Sequence, residues 1–275
     1  MSADTIYPVQ PYFVLNTTHY YKHRMANTNR IAHFYRYLPE HSAQNTPVLP
    51  DGSADLIIHC DPNHPAGRLA GMVSARGLMQ VDQGHPYFGV RFLPGCVPLL
   101  DEISAAELVD GDVPLEAMRG LSELIERVAC ESDFAGQIDA FLQAFEAMQR
   151  ARRSRERANP YLVPWMIERI AASGGAVRIQ TLADEAGYSS RYLNKAFHER
   201  VGVAPKSFCR YMKFQRVIQA LNSEGPVNLA ELSAETGYFD QSHLLRDFKA
   251  FTAVTPGQYL QAIQPESYHR RIIEA

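Results

Sequence analysis

Three patterns of apolar and polar positions divide the chain. From about residue 10 to 100, short apolar segments alternate with turn formers. The segments are PYFVLN, HFYRYLP, ADLIIHC, LAGMVSA, LMQVD and PYFGVRFLP, with Pro50-Asp51-Gly52 and Asp61-Pro62-Asn63 among the turns. Short strands at this spacing predict an all-β sandwich or barrel. From about residue 103 the period changes. Leu115, Met118, Leu121, Leu124, Ile125 and Val128 recur at helical spacing, and so do Phe134, Ile138, Phe141, Leu142, Phe145 and Met148. Each set is one apolar stripe on a helix. Two such helices either cover the β-rich part or pair with a second copy of the chain across a two-fold axis.

The third pattern is a repeat. GYSSRYLNKAF at 187–197 returns as GYFDQSHLLRDF at 237–248. In the first unit Leu182, Ala183 and Ala186 line one face of a short helix, which Gly187 ends in the left-handed conformation that glycine adopts at little cost. Ser189 and Ser190 can cap the next helix. There Leu193 and Phe197 stand at i and i+4, one buried face. In the second unit Leu232, Ser233 and Thr236 match the first three, Gly237-Tyr238 match Gly187-Tyr188, one residue is inserted, and Leu244 and Phe248 match Leu193 and Phe197. Asp240 becomes the expected cap. Val203, Pro205 and Phe208 are answered by Val254, Pro256 and Tyr259, so the register holds over some thirty residues. Each unit reads as helix, glycine turn, helix, with the second helix polar outward.

The outward positions are Arg191, Asn194, Lys195 and His198 in the first unit, and Gln241, Ser242, His243, Arg246 and Lys249 in the second. Arg and Lys suit guanine O6 and N7, Asn and Gln can bond adenine through two hydrogen bonds, and Lys or Arg at helix ends suit phosphates. Between the units, Phe208, Met212, Gln215, Val217, Ile218 and Leu221 follow a helix over 206–223. Eighteen residues span about 27 Å, enough to hold two reading helices about one duplex turn (~34 Å) apart.

Composition sharpens the division. Residues 1–149 carry 9 Lys/Arg against 18 Asp/Glu, and residues 150–275 carry 18 against 12. An acidic half and a basic half facing a polyanion are expected. RARRSRER at 150–157, followed by Asn159-Pro160, marks a basic linker that is either a solvated face or a phosphate contact. The four cysteines (Cys60, Cys96, Cys130, Cys209) form no CxxC pair, no apolar run reaches the ~18 residues needed to span a bilayer, and the N-terminus does not read as a secretory signal, so a reduced, cytoplasmic chain is expected.

Residues 160–262 resemble the DNA-binding domain of AraC/XylS-type transcription regulators. The resemblance rests on Ala234…Gly237-Tyr238…Ser242-His243-Leu244-Leu245-Arg246-Asp247-Phe248-Lys249…Pro256…Tyr259. It implies two helix-turn-helix units joined by a long helix. Arg191, Asn194 and Lys195 would contact bases from the first unit, and Gln241, Ser242, His243 and Arg246 from the second, with Lys249 also on the DNA side. Leu193, Phe197, Leu244 and Phe248 are assigned to core. The chain departs from that pattern at Leu244 (usually aromatic), Ala253 (commonly glycine) and Leu260 (commonly arginine), positions that touch packing more than reading.

VLPDGSADLIIHCD (48–61) and GVRFLPGCVPLL (89–100) resemble the β-rich sensor domain of a subset of these regulators, of which the wider family's are often small cupin-like barrels that bind an effector and help dimerise. The His-x-His pattern of metal-dependent cupins is absent. His59, Cys60, Asp61 and His64 have metal-ligating side chains, but a strand end followed by a Pro-Asn turn accounts for them. Asp51 to Asp55 starts like a calcium loop without its later glycine and glutamate. Nothing in 1–149 gives a nucleophile, a base and an orienting group at motif spacing, so no enzyme is expected. A pocket with Phe88, Arg91 and Phe92, Arg91 pairing an anionic effector, is the effector-site expectation. Alternation puts Arg91 and Val90 on opposite faces of a strand without saying which faces inward.

The fold class expected is α+β multidomain, a small β-rich, barrel-like N-terminal domain plus helices followed by an all-α double helix-turn-helix domain. The boundaries are 1–102 for the β-rich sensor, 103–150 for the helical pair, 150–160 for the linker and 161–264 for the DNA-binding domain. Expected partners are double-stranded DNA, a small-molecule effector, RNA polymerase and a second copy of the chain, with no cofactor, metal or membrane. The sequence sets no structure for Ser267 to Ala275.

Overall fold

Strand-forming residues dominate the first third, and the computed structural model arranges them as one large and one small sheet. It describes residues 8–25, 30–40, 45–97, 103–118, 121–152, 161–223 and 225–275. A short helix α1 (Pro11–Leu15) precedes β1 (Tyr20–His23), β2 (Ile31–Tyr37), β3 (Asn45–Val48), β4 (Ala54–His59), β5 (Ala66–Ala70), β6 (Gly77–Gln80), β7 (Tyr87–Phe92) and β8 (Asp112–Pro114). PYFVLN, expected among the strands, is instead α1. Pro11 stands in its first turn, where a fixed φ favours a helix start and the missing N–H costs nothing.

Seven strands pair in the order β8-β5-β4-β7-β2-β1-β9, where β9 (Ile272–Glu274) comes from the far end of the chain; β3 and β6 form the small sheet. The central strands β4 and β7 are buried along almost their whole length, which explains their near-continuous apolar sequences.

Helices α2 (Ser122–Cys130) and α3 (Phe134–Arg152) follow a 3-10 turn at Leu115–Ala117. Leu124, Ile125, Val128, Phe134, Ile138, Phe141 and Phe145 pack on Phe34, Leu56, Ile58, Leu69 and Phe88. Of the two roles open to these stripes, the structure shows the first: they cover the sheet. The other sheet face carries Tyr20, Tyr35, Tyr37 and Tyr87, with Tyr20 on Tyr35 at 5.6 Å and Tyr37 on Tyr87 at 5.5 Å. Gly89 makes room for this layer, because a Cβ there would overlap the Tyr35 ring.

Helix α3 runs through Arg152, so the first residues of the expected linker are helical; the rest of the arginine run, 153–160, lies outside the described residues. The C-terminal part comprises α4 (Leu162–Ala172), α5 (Ile179–Ala186), α6 (Ser190–Val201), α7 (Pro205–Asn222), α8 (Leu229–Glu235), α9 (Gln241–Thr252), α10 (Pro256–Ile263) and α11 (Pro265–Arg271). The repeat is visible in the caps. Ser189 Oγ accepts from Tyr192 N at 3.2 Å, and Asp240 Oδ1 from His243 N at 2.7 Å. Gly187 and Gly237 hold φ of 70° and 73°.

The units differ where α6 and α9 end. Gly202 takes the left-handed cap of α6 at φ 90°, and Ala253 takes the same place after α9 at φ 63°. An L side chain is strained there. Ala253→Gly is expected to stabilise the protein by about 0.5–1 kcal/mol, the relief of strain exceeding glycine's entropic cost, a shift to be read in the urea midpoint.

The tail from Pro265 to Ala275 folds back on the N-terminal domain. β9 pairs in parallel with β1, Tyr20 opposite Ile272. Arg271 Nη1 donates to the carbonyl oxygens of Leu15 and Thr17 and lies 3.4 Å from a Glu40 carboxylate oxygen. The core is therefore continuous: the tyrosine face and the helices of the C-terminal part form one apolar cluster.

Candidate nucleic-acid interface and sensor cavity

Burial separates the two faces of each outward helix. Leu193 and Phe197 of α6 have no exposed surface, and neither does Leu244 of α9, while Phe248 keeps 1%. Arg191, Asn194, Lys195 and His198 on α6 and Gln241, Ser242, Arg246 and Lys249 on α9 are exposed. Amphipathic spacing thus brings together on each helix the side chains expected to contact DNA. His243 differs: it is half-buried, edge-on to the Tyr238 ring at 5.2 Å and 4.0 Å from Asp247. Asn194 Nδ2 donates to Ser190 O at 2.7 Å, and Lys195 lies 3.9 Å from Glu199. Both are solvent-facing contacts, weak enough for a ligand to replace.

Helix α7 holds the two units. Phe208, Met212, Val217, Ile218 and Leu221 are buried, and Phe208 and Phe197 rings meet at 5.4 Å. Arg210 on α7 clamps the buried Asp247 of α9 at 2.8 Å, a link that fixes the second unit to the spine. Sequence reasoning missed this pair because its partners lie 37 residues apart.

Helix α7 also touches the N-terminal domain. Gln215, with no exposed surface, accepts from Val9 N and donates to Pro50 O, both at 2.9 Å. Gly52 lies against the Phe208 ring with so little room that a Cβ would stand 2.5 Å from Cε2. Arg200, at the end of α6, donates to Gly95 O at 3.1 Å. The loop 49–53 is thus seated on the helix that spaces α6 and α9.

The same loop lines a cavity of about 750 Å³, whose walls include Gln10, Phe13, Asp51, Ser53, Asp55 and Met79. Arg91 is 1% exposed and points to the tyrosine face, while Val90 enters the core under α2 and α3. Its guanidinium meets Asp55 through two hydrogen bonds, Nε to Oδ1 at 2.9 Å, and Asp51 at 3.4 Å. Its charge is compensated from within the fold rather than left open to an anion. Phe88 and Phe92, expected beside it, lie on the opposite face with Val90. Burial raises the Asp51 carboxyl to about 6 although Arg91 opposes this. His33 on the same face is held well below its usual range by burial and by Arg91. His59 stacks on Tyr87 at 4.8 Å, and the buried Cys60 thiol accepts from Gln137.

Among the described residues, no helix is long and apolar enough to cross a membrane. Residues 182–262 match a family described as a helix-turn-helix domain, and residues 28–114 match a domain of unknown function. No curated protein matches significantly. Among solved structures, ToxT from Vibrio cholerae O395 aligns at a TM-score of 0.42 with 14% identity, over 80% of this chain and 88% of that one. The structure of the xylose-binding transcription activator XylR aligns at 0.33 with 18% identity, over 46% of this chain and 39% of that one.

Proposed function

We propose that this chain, whose C-terminal part is a helix-turn-helix domain of the AraC type, is a sequence-specific transcription regulator controlled by a small molecule. Helices α6 and α9 enter successive major grooves of one duplex. Arg191, Asn194 and Lys195 contact it from the first unit, and Gln241, Ser242, His243, Arg246 and Lys249 from the second. The observation that carries this reading is the duplicated helix-turn-helix with both second helices exposing polar faces while their apolar faces are sealed. Contacts with a second copy and with RNA polymerase belong to the same reading.

The effector site is the cavity above Asp51, Ser53 and Asp55. Gln10 Nε2 donates to Leu49 O and to Asp51, and Gln215 holds Pro50, so a ligand that moves the cavity wall moves the loop seated on α7. The coupling is reciprocal: DNA must change effector affinity by the factor by which effector changes DNA affinity. Catalysis is not part of this reading.

The test is affinity for duplexes selected by the full-length protein from a random pool. Arg246→Ala is expected to weaken binding to the selected duplex by about 1–3 kcal/mol and to relax preference at one base pair. An unchanged preference in that variant removes Arg246 from the reading set.

A further inference from the structure

Phe239 is 92% exposed, more than any other large apolar side chain among the described residues. It is also the residue inserted in the second unit relative to the first. Its neighbours fix its outward placement. Tyr238 is 6% exposed, with Lys213 Nζ 5.8 Å from its ring centroid, and its N–H donates to Ser233 O at 2.9 Å. On the other side the Asp240 carboxylate caps α9. A residue between a buried ring and a cap has no path into the core, so Phe239 stands out at the N-terminal end of α9, next to Gln241 and Ser242. The first unit has aromatic surface at the same end of its helix: Tyr188 and Tyr192 stack at 4.9 Å and are 41% and 40% exposed.

An exposed Phe contributes nothing to folding, and its burial against an apolar group would be favourable. In helix-turn-helix docking, the N-terminal residues of the second helix meet the base edges. The major groove offers one apolar group, the thymine C5-methyl. From its exposure, its fixed placement and its continuity with the polar reading face, we propose that Phe239 is a base-contacting residue that packs on a thymine methyl group in the half-site read by α9. The proposal rests on the regulator reading above.

Deoxyuridine differs from thymidine only in lacking that methyl. The experiment replaces each thymine of the selected duplex by deoxyuridine, one at a time, and measures affinity for full-length wild type, Phe239→Ala and Phe239→Leu. Wild type should lose about threefold to tenfold at one position, the scale of one buried methyl contact. Phe239→Ala should be indifferent at that position and Phe239→Leu intermediate, with both variants melting at the wild-type temperature. An alanine variant that keeps the wild-type response at every thymine overturns the contact and leaves the regulator reading standing. So does an equal loss on selected and random duplexes. A wild type that enriches no sequence from the pool overturns the regulator reading and the contact with it.

Discussion

Arg91→Ala is expected to lower folding stability by about 3–5 kcal/mol, the cost of removing one partner from a buried ion pair. Asp55 and Asp51 remain behind, 8% and 3% exposed, with no cation to face. Burial already raises the Asp51 carboxyl against the opposing pull of Arg91, and without Arg91 it is raised further. A carboxyl whose pKa is higher folded than unfolded takes up its proton more readily when folded, so its contribution to stability is greatest at low pH and is lost as pH rises through the folded value. The deficit of Arg91→Ala should therefore be larger at pH 8 than at pH 5. Arg91→Lys keeps the charge but loses the paired hydrogen bonds, and should fall between wild type and alanine. Urea unfolding of the three proteins at both pH values checks this. A deficit below about 1 kcal/mol, the worth of an exposed pair, would return Arg91 to the role of a free cation for an anionic effector.

Deletion of residues 265–275 is the second large effect. It removes β9 and its pairing with β1, the Arg271 bonds to Leu15 and Thr17, and the Tyr268 side chain, which is 4% exposed. The charge-assisted bonds and the buried ring together should contribute at least about 2 kcal/mol net of the chain entropy regained. The loss should be asymmetric. β1 becomes an open edge, so amide exchange should accelerate along Tyr20–His23 while the strand pair β4–β7 at the sheet centre keeps its protection. Uniform acceleration would mean that the tail stabilises the whole molecule rather than the seam between its parts.

The tail also shows where sequence reading stops. Ile272, Ile273 and Glu274 are three residues with no turn signal after them, too short a pattern to be told from a helix end. Their pairing partner lies some 250 residues earlier. Gln215 is similar: one polar residue in an apolar stripe, explained only by Val9 and Pro50 from the other domain. Local chemistry was legible. Gly187, Gly237, Ser189 and Asp240 each do what their residue type does best, and the caps follow from neighbours three residues away. The stripes on α2 and α3 were legible as helices, though the first was read too long: Leu115 stands in a 3-10 turn and Met118 is extended, and α2 starts only at Ser122. What the stripes cover was not legible, since periodicity names a buried face and not its partner. Arg91 was misleading because a strand's alternation gives two faces without giving the charges opposite them. Asp51 and Asp55, which looked like the start of a calcium loop, are those charges.

The most direct test is binding of the full-length protein to its selected duplex and to a scrambled duplex, by fluorescence anisotropy across a salt series. If the exposed faces of α6 and α9 read DNA as proposed, affinity for the selected duplex should exceed that for the scrambled one by ~10³ or more. Both affinities should fall as salt rises, through release of counterions from the contacted phosphates. Equal, weak binding to both duplexes at every salt concentration, with and without residues 1–160, would contradict the assignment of α6 and α9 as reading helices.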